Sequence, residues 1–222
     1  GYVFGPGSGR SIDDDFAPGI PLHLFSKWIL PGMSPADVVL HGTDRELDPV
    51  QRLPAHHHQV GPLIPFTNRT EERFQLDGNS WALVSISTDM QGETDLVVEA
   101  IDALQHFDLP VLVTAPGRAL ELAPELREIR IENFVPHDLA LRHSRLFITH
   151  AGHGSVMRGL DHGVPMVLVP WGRDQPGVAH PARELGVGIV VDRHDLSATT
   201  MHAAIEQLLS DTSVLDASDR VS

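Results

Sequence analysis

The sequence predicts a doubly wound α/β domain, a parallel sheet covered by helices on both faces. Two observations carry the prediction. From Trp81 onward, short apolar runs alternate with stretches of helical periodicity, the pattern of repeated strand–helix units. The runs "WALVSIS", "PVLVTA" and "PMVLVP" are continuously apolar rather than alternating, as strands buried on both faces read. The size agrees: 222 residues, 41% hydrophobic and 21% charged, suffice for one large domain or one domain plus part of a second.

Residues 1–35 are rich in Gly and Pro, and "GPGSGR" and "APGIPLHLF" read as loop with a short helix around 22–30. "ADVVLHG" (36–42) reads as a buried strand, and 59–66, with its two prolines, as an extended linker. "WALVSIS" (81–87) is the first strand of the main domain. "TDLVVEAIDALQHF" (94–107) follows as a helix, with Val97, Ala100, Ile101 and Leu104 on one face and Thr94 as N-cap. "PVLVTA" (110–115) and "EIRIENFV" (128–135) are the next strands, and "HDLALRH" (137–143) is a short helix. "RLFITH" (145–150) is a strand and "GSVMRGLDHG" (154–163) a helix closed by Gly163. "PMVLVP" (165–170) is a strand and "DQPGVAHPARELG" (174–186) a helix closed by Gly186. "VGIVVD" (187–192) is the last strand. "SATTMHAAIEQLLSD" (197–211) is the last helix, with Met201, Ile205, Leu208 and Leu209 on one face. There is no internal repeat. Sheets of this kind take ligands at the carboxyl ends of their strands, which directs attention to the loops that follow.

Charge and composition exclude some classes of function. Lys plus Arg number 16 against 30 Asp plus Glu, a net charge of −14. Such a chain repels phosphate backbones, which argues against nucleic acid as its partner. A local pocket of backbone N–H groups can still hold a small phosphate. With no cysteine, disulfides, thiolate nucleophiles and cysteine metal sites are excluded, which fits a cytoplasmic protein. No apolar run approaches the roughly 18 residues of a membrane span. The start "GYVFGPGSGR" lacks the basic-then-apolar pattern of a signal peptide.

Four strand ends carry chemistry. In "RLFITHAGHGSVMRG" (145–159) a strand ends at His150 and a helix begins near Gly154 or Ser155. Gly152 and Gly154 remove Cβ atoms, so a ligand can approach the backbone. The first N–H groups of a helix lack internal acceptors and sit at the positive end of its dipole, which suits a phosphate. Ser155 adds a hydroxyl and His150 an imidazole N–H. The same residues also read as a plain turn with Ser155 as N-cap. One unit later, in "PWGRDQ" (170–175), Asp174 and Gln175 can bond several hydroxyls of one sugar, or Asp174 can simply cap the next helix. In "NFVPHDLAL" (133–141), Phe134 can stack on a base whose edge meets the backbone of Val135, or it can be a core residue. In "SISTDMQG" (85–92), Ser87 and Thr88 can donate to a phosphate, or form a polar turn.

Three other features are set aside. "FGPGSGRS" resembles a phosphate loop, but Phe4 replaces its first glycine, Arg10 replaces the lysine, and no apolar strand precedes it. Asp13, Asp14 and Asp15 read as a solvated acidic loop. His56, His57 and His58 are adjacent, and adjacent residues rarely converge on one ion. No metal site is expected.

Taken together, these motifs resemble a known family. Residues 133–191, from "NFVPHDLALRHSRLFITHAGHGSVMRGLDHG" to the strand "VGIVV", are similar to the donor-binding half of GT-B glycosyltransferases of family 1, of the bacterial natural-product and macrolide type. The likeness extends more weakly over about 35–210. It implies a Rossmann-like donor domain at 63–222, preceded at 1–62 by a remnant of the acceptor domain and the interdomain linker. Phe134 and Val135 match the place of the base, and His150 that of the histidine on the diphosphate. Gly152, His153, Gly154 and Ser155 match the phosphate-cradling turn, and Asp174 with Gln175 the pair on the sugar hydroxyls. The donor implied is a UDP- or dTDP-sugar, the acceptor a small molecule, and the reaction an inverting, metal-independent hexose transfer without cofactor.

The chain departs from the family pattern in places. Many members carry a ribose-holding Glu eight residues after the histidine, where this chain has Arg158. An Asn often stands three residues after the Asp–Gln pair, where this chain has Val178. Nothing before Ala36 resembles the opening of an acceptor domain, so the catalytic base is unassigned and the N-terminal domain is expected to be missing. Two rival functions are a non-catalytic nucleotide-sugar-binding module and a dinucleotide-binding oxidoreductase. Against the second, Met157 stands where that fingerprint needs its third glycine.

Overall fold

The computed structural model describes residues 39–47, 57–63, 76, 78, 80–87, 93–116, 129–211, 214, 217 and 218. The expected helix at 22–30, the sequences set aside at 4–15, and Thr88 lie outside the described residues.

Two short strands come first, β1 (Val39–His41) and β2 (His57–Gln59), paired in parallel. The strand expected at 36–42 is found, but its Leu40 is 55% exposed, so it is not a buried one. The start of the supposed linker, at Gln59, is part of β2. A parallel pair so far apart in sequence leaves no mark in local periodicity.

The main sheet follows the predicted alternation. Its strands are β3 (Trp81–Ser85), β4 (Val111–Thr114), β5 (Ile129–Glu132), β6 (Ser144–Thr149), β7 (Met166–Leu168) and β8 (Gly188–Val190). Its helices are α1 (Thr94–Leu104), α2 (His137–Leu141), α3 (His153–Asp161), α4 (Gln175–Glu184) and α5 (Ala198–Ser210). All six strands are parallel, in the order β5-β4-β3-β6-β7-β8. Counted within this sheet, the order is 3-2-1-4-5-6, that of doubly wound nucleotide-binding folds. Such folds hold ligands at the switch point between the first and fourth strands, here β3 and β6.

Side chains of a strand alternate between faces, and both faces are covered. Ala82, Val84, Val111, Val113, Leu146 and Ile148 pack with α1 and with Met201, Ile205 and Leu208 of α5. Leu83, Leu112, Phe147, Met166 and Leu168 pack with α2, α3 and α4. A Cβ on Gly159 would lie 2.5 Å from Met166 Sδ. Glycine there lets α3 sit close to β7, which fixes where the amino end of α3 points.

The helix ends correct the sequence reading by one or two residues. Glu93, not Thr94, stands at the N-cap of α1. Its carboxylate instead accepts the Ser87 N–H at 2.6 Å. Gly163 and Gly186 close α3 and α4 with φ of 63° and 75°, as expected. Ser197 caps α5 through a reciprocal box with Thr200.

Candidate functional site

Helix α3 begins at His153 with Gly152 as N-cap, earlier than the expected start at 154 or 155. The Gly152 carbonyl accepts from both Ser155 N (2.9 Å) and Val156 N (3.0 Å), so the chain turns helical directly after it. Ser155 is thereby the third helical residue and not the N-cap. The cradle opens at the carboxyl end of β6, beside β3, at the switch point.

His150 is 8% exposed. Its Nδ1 lies 3.5 Å from Thr149 Oγ1, and its ring donates a hydrogen bond to the Ser85 backbone carbonyl. A Cβ on Gly152 would lie 2.5 Å from His150 Nε2, so only glycine fits against the ring. Gly154 is different, since a Cβ there would meet only Arg158 Nη1, at an ordinary 3.5 Å. The protein's own packing does not require that glycine. Burial pushes the His150 pKa below its ordinary value, while the Ser85 carbonyl and the Asp174 carboxylate oppose the shift.

Between His150 and Gly152, Ala151 has φ 64°, and one loop later Arg173 has φ 60°. A left-handed backbone costs a residue with a Cβ about 1–2 kcal/mol. Among the described residues these are the two non-glycine positions of this kind, and each stands one or two residues before a helix that faces the site. Strain held at such loops is a mark of function.

In the second loop Asp174 stands at the N-cap position of α4 in helical conformation, and its side chain makes no capping bond. The reading of Asp174 as a mere cap is corrected on that geometry. Its carboxylate is near enough to bias His150 electrostatically. Gln175 is 2% exposed, and its Oε1 accepts from Trp171 N (2.6 Å) and Gly172 N (3.1 Å). Arg193 ties the same loop from the other side, donating to the Trp171 carbonyl at 2.7 Å. Gln175 thus shapes the loop that presents Asp174.

After β5, Phe134 is 66% exposed while Val135 is 1% exposed. The core reading of Phe134 is corrected: Val135 fills the core, and its neighbour is left facing out. Ser87 follows β3, held by Glu93 as described above.

Sequence reading missed His137 and Ser85. His137 Nε2 lies 3.0 Å from Ser85 Oγ, and its ring packs edge-on against Phe147 at 5.8 Å. Burial, then the Arg158 charge, lowers its pKa to about 4, with Asp138 opposing and His150 adding a smaller depression. It is therefore neutral near pH 7. A histidine after a proline at a strand end was the available signal, but its partner lies 52 residues away. Arg158, the departure from the family's Glu, bonds the Gly154 carbonyl (3.1 Å) and pairs with Asp138 (3.3 Å). Asp138 also faces His162 at 3.6 Å. Among the described residues no group of three or more His, Asp or Glu is placed to hold a metal ion. Nor is any helix among them long and apolar enough to cross a membrane.

Residues 98–222, more than half of the chain, match the family described as the erythromycin biosynthesis protein CIII-like C-terminal domain. A UDP-glucosyltransferase of Bacillus subtilis named YdhE, itself uncharacterised, is 32% identical over 158 residues, covering 68% of this chain and 39% of the relative. Among solved structures, the kitacinnamycin glycosyltransferase superposes with a TM-score of 0.73 at 22% identity, covering 83% of this chain and 49% of that one. The spinosyn rhamnosyltransferase SpnG, solved with thymidine diphosphate, superposes with a TM-score of 0.69 at 19% identity, over 87% of this chain and 54% of that one. The chain spans less than half the length of the curated relatives it matches. Strand order, strand-end motifs and matched residues agree: the chain belongs to the erythromycin-biosynthesis-CIII-like C-terminal domain family, within the GT-B glycosyltransferases of family 1.

Proposed function

We propose that this chain binds the donor for a glycosyltransferase that moves a hexose from UDP or dTDP to a hydroxyl of a small natural-product acceptor. The observation that carries the reading is the amino end of α3 at the switch point, with His150 against Gly152 on one side and Asp174 on the other. The glycine at 154, which the protein's packing does not require, is accounted for by a ligand above the helix start. In this reading residues 63–222 are the donor domain, and 1–62 belong to the acceptor domain and the linker. The enzyme acts in the cytoplasm.

The chemistry follows from the parts. In an inverting displacement the acceptor oxygen attacks the anomeric carbon in line with the departing diphosphate. Negative charge grows on the leaving group. The α3 N-terminus and His150 stabilise it with donors already in place, so no bound metal is needed. Phe134 offers an exposed ring for the base and Val135 its backbone. Ser87, Thr88, His153 and Ser155 border the phosphates. Asp174 accepts from sugar hydroxyls, with Gln175 beside it holding the loop. Arg158, paired with Asp138, replaces a carboxylate acceptor for ribose hydroxyls with a cation, which weakens the case for ordinary uridine recognition.

The test separates sugar from phosphate. Asp174→Ala is expected to weaken binding of a nucleotide-sugar by about 1.5–3 kcal/mol, the worth of a hydrogen bond to a charged group. Binding of the bare nucleoside diphosphate should change much less. Calorimetric titration of wild type and variant with both ligands measures this. Equal losses for both, together with a lower melting temperature, would return Asp174 to a structural role.

A further inference from the structure

We propose that the donor does not bind alone but takes up a proton with it, His150 holding the diphosphate as an imidazolium. This rests on the donor-binding reading above. The argument starts from which ring nitrogen faces what. Nδ1 lies on the strand side, 3.5 Å from Thr149 Oγ1, and Thr149 is the register partner of Ser85 across β3 and β6. Nε2 is the nitrogen that lies against Gly152, at the mouth of the cradle. The Ser85 carbonyl, which accepts from this ring, therefore takes the Nδ1 proton.

A neutral imidazole has one N–H. With that proton on Nδ1, Nε2 turns a lone pair toward the place of the diphosphate, and a lone pair repels an anionic oxygen. Moving the proton to Nε2 would strip the buried Ser85 of its donor. Only the imidazolium has a donor at both ends. The proton comes from solvent, and no bond other than N–H is formed.

The groups around His150 suit a ring poised to charge. Asp174, ahead of α4, favours the cation. His137 on α2, kept neutral with a pKa of about 4, adds no competing charge. Arg158 on α3 is the one opposing cation, and Asp138 on α2 pairs with it at 3.3 Å. Ser85 on β3 does not titrate. In the empty site burial outweighs Asp174, and the ring is neutral. A bound pyrophosphate diester adds negative charge against Nε2 and reverses the balance.

The sign follows from linkage. Since the complex holds more protons than the free protein, affinity falls as pH rises through the bound-state pKa, by about tenfold per pH unit at most. UDP-glucose and dTDP-glucose are the right probes, because a free terminal phosphate titrates near pH ~6 and theirs is esterified. Each is titrated by calorimetry just above neutral pH, in buffers of different ionisation enthalpy. Uptake approaching one proton per site, shrinking to none in mildly acidic buffer, is expected. His150→Gln, which keeps an N–H but cannot charge, should bind with no uptake and an affinity flat in pH. Binding without proton uptake by the wild type would overturn this inference and leave the donor-binding reading standing. Absence of binding to either probe would overturn both. Undiminished uptake by a folded His150→Gln would assign the proton elsewhere. Should that variant not fold, NMR of carbon-labelled histidine in the wild type decides. A His150 ring that stays neutral on adding the nucleotide-sugar would contradict the proposal.

Discussion

The 222-residue chain, purified and supplied with UDP- and dTDP-hexoses and a panel of phenolic and macrolide acceptors, is expected to form no glycoside at enzymatic rates. Transfer requires the acceptor hydroxyl held in line with the anomeric carbon, on the side of the sugar away from the diphosphate. It also requires a base within hydrogen-bond reach of that hydroxyl. The titratable groups gathered at the strand ends all have donor-side tasks: His150 at the diphosphate, Asp174 at the sugar, and His137 bonded to Ser85 with Arg158 bound to Asp138. We place the acceptor site and the base on the part of a full enzyme that this chain does not match, since it spans 39% of YdhE and 49% of the kitacinnamycin glycosyltransferase. Loss of general-base help costs about a hundredfold or more. Loss of orientation costs an effective molarity on the order of 10⁵ M or more. Product analysis by mass spectrometry and NMR checks this. Stereospecific glycoside at ordinary rates would mean that a base and an acceptor site lie within these residues.

His150→Ala is expected to weaken nucleoside-diphosphate binding by about 1.5–3 kcal/mol, roughly ten- to 150-fold in Kd. The range is that of a charge-assisted hydrogen bond to a phosphate oxygen. The substitution also removes the ring that donates to the Ser85 carbonyl, so some loss of folding stability accompanies it, and the melting temperature must be measured beside the affinity. A folded variant that binds as tightly as the wild type would reduce His150 to a packing residue. The same variant should lose less affinity at high pH than near neutrality, because the wild-type imidazolium is itself lost there.

Much of the fold was legible because its physics is local. Strands buried on both faces have no polar side, so β3, β4, β6 and β7 stand out as apolar runs, and Gly163 and Gly186 end helices in the left-handed conformation that glycine accepts. What escaped depends on distant parts of the chain. The β1–β2 pair joins residues on either side of Leu47. The His137–Ser85 contact arises only once the crossover from β5 brings α2 beside β3 and β6. Phe134 and Val135 show the limit most clearly: two adjacent apolar residues, of which the smaller is buried and the larger exposed, and no periodicity distinguishes them. Helix starts were off by a residue where glycine or a bridging carboxylate, rather than a Ser or Thr cap, begins the turn, as at Gly152 and Glu93. Gln175 was recognised as belonging to the site, but its bonds to Trp171 and Gly172 depend on a loop geometry that residue type does not reveal.

The most direct test of a donor site built from a helix N-terminus and a histidine is calorimetric titration of this chain with UDP-glucose and dTDP-glucose in excess chelator. Saturable binding of one ligand per chain is expected for at least one of them, unchanged when divalent cation is restored. A folded chain that binds neither, or that binds only after cation is added, would contradict it.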